Sequence, residues 1–106
     1  MKIDNYNASL LINSYDSNGN MAIDLIIDDG QPYCRLTTNL DYLVPWYAFV
    51  ENNKMFTDFI EKYNLGKKTG ASKTSGFKSY SLYEFNSDEL IKHMNKNSDY
   101  LYLKYI

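Results

Sequence analysis

One histidine and one cysteine, His93 and Cys34, stand in this chain of 106 residues. Acid–base or nucleophilic catalysis through histidine needs a nucleophile or an orienting carboxylate beside the ring. His93 sits two residues from Ile91 and next to Met94, which places it at the polar edge of a helix rather than in a catalytic cluster. A metal held by nitrogen and sulfur needs three or four ligands, and one His and one Cys far apart in sequence do not supply them. Cys34 falls in an apolar strand pattern and reads as a buried, inert thiol. With no second cysteine in the chain, no internal disulfide forms.

Carboxylates offer the remaining catalytic or metal-binding chemistry. The run Asp16-Ser17-Asn18-Gly19-Asn20 has the residue types of a calcium loop, but Ile27 stands where the loop's closing glutamate belongs. The Asn-Gly step makes a plain hairpin turn the favoured reading. Asp28 and Asp29 are adjacent, and neighbouring strand residues point to opposite faces, so they do not converge on one substrate. The stretch Lys67 to Gly76 has two glycines and no large apolar residue. It lacks the Gly-Lys-Ser/Thr step of a phosphate loop. Neither a catalytic centre nor a cofactor or metal site is expected.

Charge distribution is more informative than its total. Net charge is −2, yet residues 1–61 carry three basic groups against nine acids, and residues 62–106 carry eight lysines against four acids. Folded together, the halves predict a two-faced surface. Five lysines lie between Lys62 and Lys78 with no acid among them. They make Lys67, Lys68, Lys73 and Lys78 a candidate nucleic-acid arm. Tyr80 and Tyr83 follow as rings on which bases could stack.

Those residues need elements to hold them. The length suits a single domain, residues 1–106, that buries about two-thirds of its unfolded surface. Asn7–Tyr15, Met21–Asp28 and Pro32–Asn39 read as three strands joined by short turns, an antiparallel meander. Met21, Ile23, Leu25 and Ile27 alternate with Ala22, Asp24, Ile26 and Asp28, so Asp24 and Asp28 are expected to face water. Tyr47–Val50 is a short strand. Asn52-Asn53 caps a helix through Tyr63, which Gly66 stops. Lys67–Gly76 is expected as a solvated loop, Phe77–Phe85 as a strand, and Asn86 or Ser87 as the cap of a second helix. Asp99–Ile106 is expected as a last aromatic strand. The fold class is therefore α+β: an antiparallel sheet of four to six strands with two short helices packed on one face. The expected core is Leu10, Ile12, Ile23, Leu25, Ile27, Leu36, Phe56, Phe59, Ile60, Leu82, Leu90 and Ile91. No apolar run reaches the ~18 residues of a membrane span, and Met1–Asn7 lacks the pattern of a signal peptide. The expected location is the cytoplasm.

Several short motifs recur in a characteristic order: Met21-Ala22-Ile23-Asp24-Leu25-Ile26, Asp29-Gly30-Gln31-Pro32-Tyr33, Leu36-Thr37, Ala48-Phe49-Val50, Asn52-Asn53, Phe59-Ile60, Leu65-Gly66 and Tyr80-Ser81-Leu82-Tyr83-Glu84-Phe85. Over residues 20–92 they resemble the family called domain of unknown function 4313. Ser81 stands where that family usually has proline, Lys54-Met55 replaces its proline-tryptophan step, and the tail after His93 has no placed counterpart. The resemblance implies an origin on plasmids, conjugative elements or phages, and it brings no activity to carry over. With small size, no catalytic group, acidic patches and many tyrosines, it leads to a non-enzymatic inhibitor of a host protein, an anti-CRISPR or other anti-defence protein. In that reading Asp16, Asp24, Asp28, Asp29, Asp41 and Glu51 occupy a basic nucleic-acid channel of the effector, with Tyr33 as aromatic anchor. The alternative is a nucleic-acid-binding accessory protein working through the Lys67–Lys78 segment.

Overall fold

The structure is a computed structural model, and it describes residues 1–28 and 30–105. Asp29, expected at a turn and on the partner-binding surface, lies outside the described residues.

Apolar alternation in the first third of the chain builds the first sheet. Strands β1 (Lys2–Ile3), β2 (Tyr6–Ser14), β3 (Met21–Ile27) and β4 (Gln31–Arg35) lie in that order, each antiparallel to the next. Leu10, Ile12, Ile23 and Leu25 reach zero exposure on its inner face. The expected meander is thus present. The turn between β2 and β3 is a hairpin turn. Gly19 takes φ 76, and Asn18 Oδ1 accepts from the Asn20 amide at 3.0 Å. Asn20 is itself buried, and its side chain is fully used. Nδ2 donates to Asn39 Oδ1 and to the Asp41 carbonyl, and Oδ1 accepts from the Leu43 amide. The side-chain amides of this turn therefore tether the loop over residues 39–43.

Past β4 the chain crosses between sheets. Leu36 N donates to the Ile23 carbonyl, Thr37 Oγ1 accepts from the Ile23 amide, and Thr38 N donates to the Phe49 carbonyl. The second sheet has the order β5 (Tyr47–Glu51), β7 (Lys78–Phe85), β6 (Gly66–Ser75), also antiparallel. The α+β class holds, with seven strands divided between two sheets instead of one sheet of four to six. Buried side chains of both sheets and the helices form one cluster that includes Leu10, Ile23, Leu36, Val50, Phe59, Ile60, Tyr83, Phe85, Leu90 and Tyr100. Of the expected core, Ile27, Phe56, Leu82 and Ile91 are only half-buried.

Helix α1 (Lys54–Lys62) begins where Asn53 Oδ1 accepts from the Met55 amide at 2.9 Å. It ends at Asn64 with φ 54, an asparagine taking the left-handed position that often closes a helix. Gly66 is therefore not the stop. It serves a different need: a Cβ there would lie 2.9 Å from the Glu84 carbonyl and 3.1 Å from Phe85 Cα. Helix α2 (Ser87–Lys92) is capped by Asn86, which accepts from the Glu89 amide.

Two further expectations fail. Lys67–Gly76 is not a loop but most of β6, paired with β7 and exposed along its length. Its Lys, Thr and Ser residues show no apolar alternation because neither face of the strand joins the core. The last segment is not a strand but a 3₁₀ helix, α3 (Leu101–Tyr105), whose first amide donates to Ser14 Oγ at 3.0 Å. Before it, residues 93–99 run parallel to β2 and bond to its outer edge through Leu10 and Ile12. That edge is thereby closed, and among the described residues of the tail only Tyr100 is buried.

Candidate interaction surface

Each acid expected on the partner-binding surface can now be placed. Asp24 is half-buried rather than solvated, and Arg35 holds it by two bonds of 2.7 and 3.1 Å. The Arg35 guanidinium also sits 5.2 Å from the Tyr15 ring centre, and the Asp24 carboxylate raises its pKa further above the ordinary arginine range. Asp41 pairs with Lys73, and Glu51 pairs with Lys78 at 3.0 Å. Asp16 and Asp28 are exposed at opposite ends of β3. The described acids therefore do not gather on one face. Tyr33 is half-buried, with its hydroxyl donating to Asp4 and its ring 5.9 Å from Tyr6. That bond to a carboxylate pushes its pKa up to about 12.

The lysines cluster better. β6 and β7 form a hairpin that carries Lys67, Lys68, Lys73 and Lys78, and Phe77 at its tip is fully exposed. The ladder is broken once. Lys68 faces Tyr83 and Ser72 faces Ser81, so Thr69, Gly70 and Ala71 bulge opposite Leu82. Gly70 takes φ 94 there, a conformation glycine adopts without penalty. Lys67 lies 3.4 Å from Glu84, so among the described residues three of the four lysines meet an acid and Lys68 does not. Exposed pairs of this kind contribute about 0–1 kcal/mol each and exchange readily for other partners. Tyr80 and Tyr83, expected as stacking rings, are 8 % and 4 % exposed, so neither offers a free face.

Two clefts open beside this hairpin. The first, of about 480 Å³, is lined by Trp46, Tyr47, Lys67, Glu84 and Asn86 among others. Tyr47 Oη donates to Glu84 at 2.8 Å. That bond, with the Lys67 ammonium, holds the Glu84 carboxyl below the usual carboxylate range. Trp46 takes φ 70, rare for so large a residue. It is held by its amide donating to Tyr100 Oη and by an edge-on ring contact at 5.0 Å. The second cleft, of about 400 Å³, lies between α1 and β6 over Tyr83.

Neither His93 nor Cys34 lines these two clefts. His93 is 4.0 Å from Glu89 and packs near the Tyr63 ring. Cys34 is half-buried, and burial raises its thiol pKa. Among the described residues no three His, Cys, Asp or Glu side chains come close enough to hold a metal ion, and no helix is long and apolar enough to cross a membrane.

A family described as a domain of unknown function, DUF4313, matches residues 9–104. The chain belongs to this family. The match takes in the tail after His93, which the sequence motifs left without a counterpart, and so joins the β2-edge segment and α3 to the DUF4313 fold. No curated protein and no solved structure matches the chain.

Sequence reasoning missed the exposed strand β6, the cleft residues Trp46, Tyr47 and Glu84, and the apolar tip Phe77. Gly76-Phe77 was the one available signal: a glycine turn followed by an aromatic, between two runs of polar residues.

Proposed function

We propose that this DUF4313 protein is a non-enzymatic inhibitor that acts by binding another protein, most specifically an anti-defence protein of the anti-CRISPR kind. The observation that supports it best is β6. It is a ten-residue strand, exposed from Lys67 onward, with no described strand on its outer edge and a fully exposed Phe77 one turn beyond it. Unpaired strand edges are templates for a partner's backbone, and an exposed aromatic is the usual anchor of an interface. The reading moves the binding surface from the scattered acids to the hairpin. Its test is a phage-plating or plasmid-interference assay in a CRISPR-active host, with wild type and a Phe77→Ser variant. Protection that the variant loses, with its fold intact, supports the reading. Absence of protection across the host's defence systems sinks it.

A second reading has one specific observation in its favour: the only large apolar residue at the hairpin tip is flanked by Lys73 and Lys78 with no acid in the hairpin strands before Glu84. Basic ribbons with an apolar tip suit nucleic acid. A gel shift at low salt decides it, because binding through Lys67, Lys68 and Lys73 weakens steeply as salt rises.

A further inference from the structure

We infer that the partner of the β6 edge is an extended segment carrying an acidic side chain, which adds to β6 as a strand and seats its carboxylate beside Lys68 and Tyr83. This inference rests on the protein-binding reading and names the chemistry of its partner.

Three observations converge on this corner. Lys68 and Tyr83 are direct cross-strand neighbours, so their side chains share one face of the sheet. Tyr83 is 4 % exposed and lines the cleft between α1 and β6, yet its hydroxyl bonds to no described residue. Every fully enclosed polar side-chain atom among the described residues has a partner, so this hydroxyl keeps its contact with solvent through the cleft. Lys68 is also the hairpin lysine that no acid meets among the described residues, whereas Lys67, Lys73 and Lys78 are paired. The corner thus presents two donors, an ammonium and a phenol, on one face beside an open strand edge. Two donors call for an acceptor, and a carboxylate satisfies both at once.

Strand addition supplies the geometry. A peptide pairing with the outer edge of β6 has alternate side chains on the cleft face. The bulge at Thr69–Ala71 interrupts the ladder, which confines regular pairing beside the cleft to Gly66–Lys68. Glu61 stands on the α1 wall of the same cleft and repels a carboxylate there, so the acid is held at the strand side. A second copy of this chain fits poorly. Two β6 strands paired edge to edge bring the Lys67, Lys68 and Lys73 side chains of one copy close to those of the other, and like charges opposite one another destabilise a ladder.

The test is fluorescence anisotropy with a labelled peptide of about eight residues, the common length of a strand. It alternates threonine and valine around a central glutamate, and a companion peptide has lysine in that place. The glutamate peptide should bind at least ~10-fold more tightly than the lysine peptide, the range expected when a charged hydrogen bond is gained. Lys68→Ala and Tyr83→Phe should each weaken the glutamate peptide about 3- to 10-fold. Tyr83→Phe keeps the buried ring, and its thermal melt reports whether the fold is intact; Lys68→Ala changes an exposed residue and tests the idea without that risk. Equal binding of the two peptides, no binding of either, or glutamate binding unchanged in Lys68→Ala overturns the inference. Protection by the wild type in the plating assay with no peptide binding overturns this mode of docking alone, and absence of protection by the wild type overturns the inhibitor reading itself.

Discussion

The hairpins β2–β3 and β6–β7 have ladders of the same length, seven paired positions each, and opposite fates. In the first, Leu10, Ile12, Ile23 and Leu25 are fully buried, and even the outward-pointing Ala22 and Ile26 of β3 are covered. In the second, every residue of β6 after Gly66 is exposed. Backbone hydrogen bonds are therefore enough to draw a strand but not to make it part of a core. Burial of apolar side chains supplies most of the stabilisation, at about 25 cal/mol for each Å² removed from water. β6 has almost none of that, and it holds its place through β7, the close approach at Gly66, and ion pairs to Asp41 and Glu84.

The largest effect should come from the buried hairpin. Leu25→Ala removes a side chain with zero exposure and should cost about 2–5 kcal/mol, read from denaturant midpoints. A loss under ~1 kcal/mol would erase the contrast between the hairpins.

Gly66→Ala probes the point where the exposed hairpin is as constrained as the core. The added methyl meets backbone atoms of Glu84 and Phe85, which cannot rotate away as a side chain can. The expected cost is about 1–3 kcal/mol, against under ~0.5 kcal/mol for Thr74→Ala further along the same strand. Equal losses at the two positions would show that β6 is anchored evenly rather than at its root.

The unequal burial also explains what the sequence made legible. Strands β2, β3 and β5 and both caps, Asn53 and Asn86, announce themselves through apolar alternation and side-chain oxygens placed before helices. β6 carries no such signal, since Lys, Thr, Ser and Gly in a row look like a loop wherever the pairing partner is not known. The tail misleads in the other direction. Tyr100-Leu101-Tyr102-Leu103 suits a strand by composition, but the edge of β2 is already taken by residues 93–99, and the chain turns into α3 against Ser14. The charge asymmetry between the two halves was readable, but its outcome was not: Asp41 and Glu51 come to rest against Lys73 and Lys78, and much of the expected two-faced surface cancels itself.

Asp24 lies between the extremes. Its pattern predicts a solvated face, whereas the bidentate bond to Arg35 leaves its side chain 19 % exposed. Asp24→Ala should cost about 0.5–1 kcal/mol, at the upper end for ion pairs near a surface because the pair is bidentate and partly buried. Arg35→Lys, which keeps the charge but not the fork, should lose most of the same amount. A double-mutant cycle between the two positions measures the coupling directly.

The smallest effect is set by pH at the root of the exposed hairpin. Glu84 accepts from Tyr47 and lies beside Lys67, and both favour its ionised form, so its folded pKa falls below the ordinary carboxylate value. A group with a depressed folded pKa binds its proton less readily in the native state than in the unfolded one. It therefore adds stability above the unfolded pKa, about 4.3 for glutamate, and loses that contribution as pH falls through the lower folded value. Solvent exposure of the pair keeps the contribution small. Glu84→Gln, which retains an acceptor for Tyr47 but no charge, should lower the thermal midpoint slightly at neutral pH. The difference from wild type should shrink to nothing in acid below the folded pKa. In the β2–β3 hairpin no comparable residue exists at Leu10, Ile12, Ile23 or Leu25, so Leu25→Ala should lose a similar amount of stability at both pH values. A Glu84→Gln difference that persists unchanged in acid would mean that the side chain matters for its packing and not for its charge, and the root of β6 would then resemble the buried hairpin more than the exposed one.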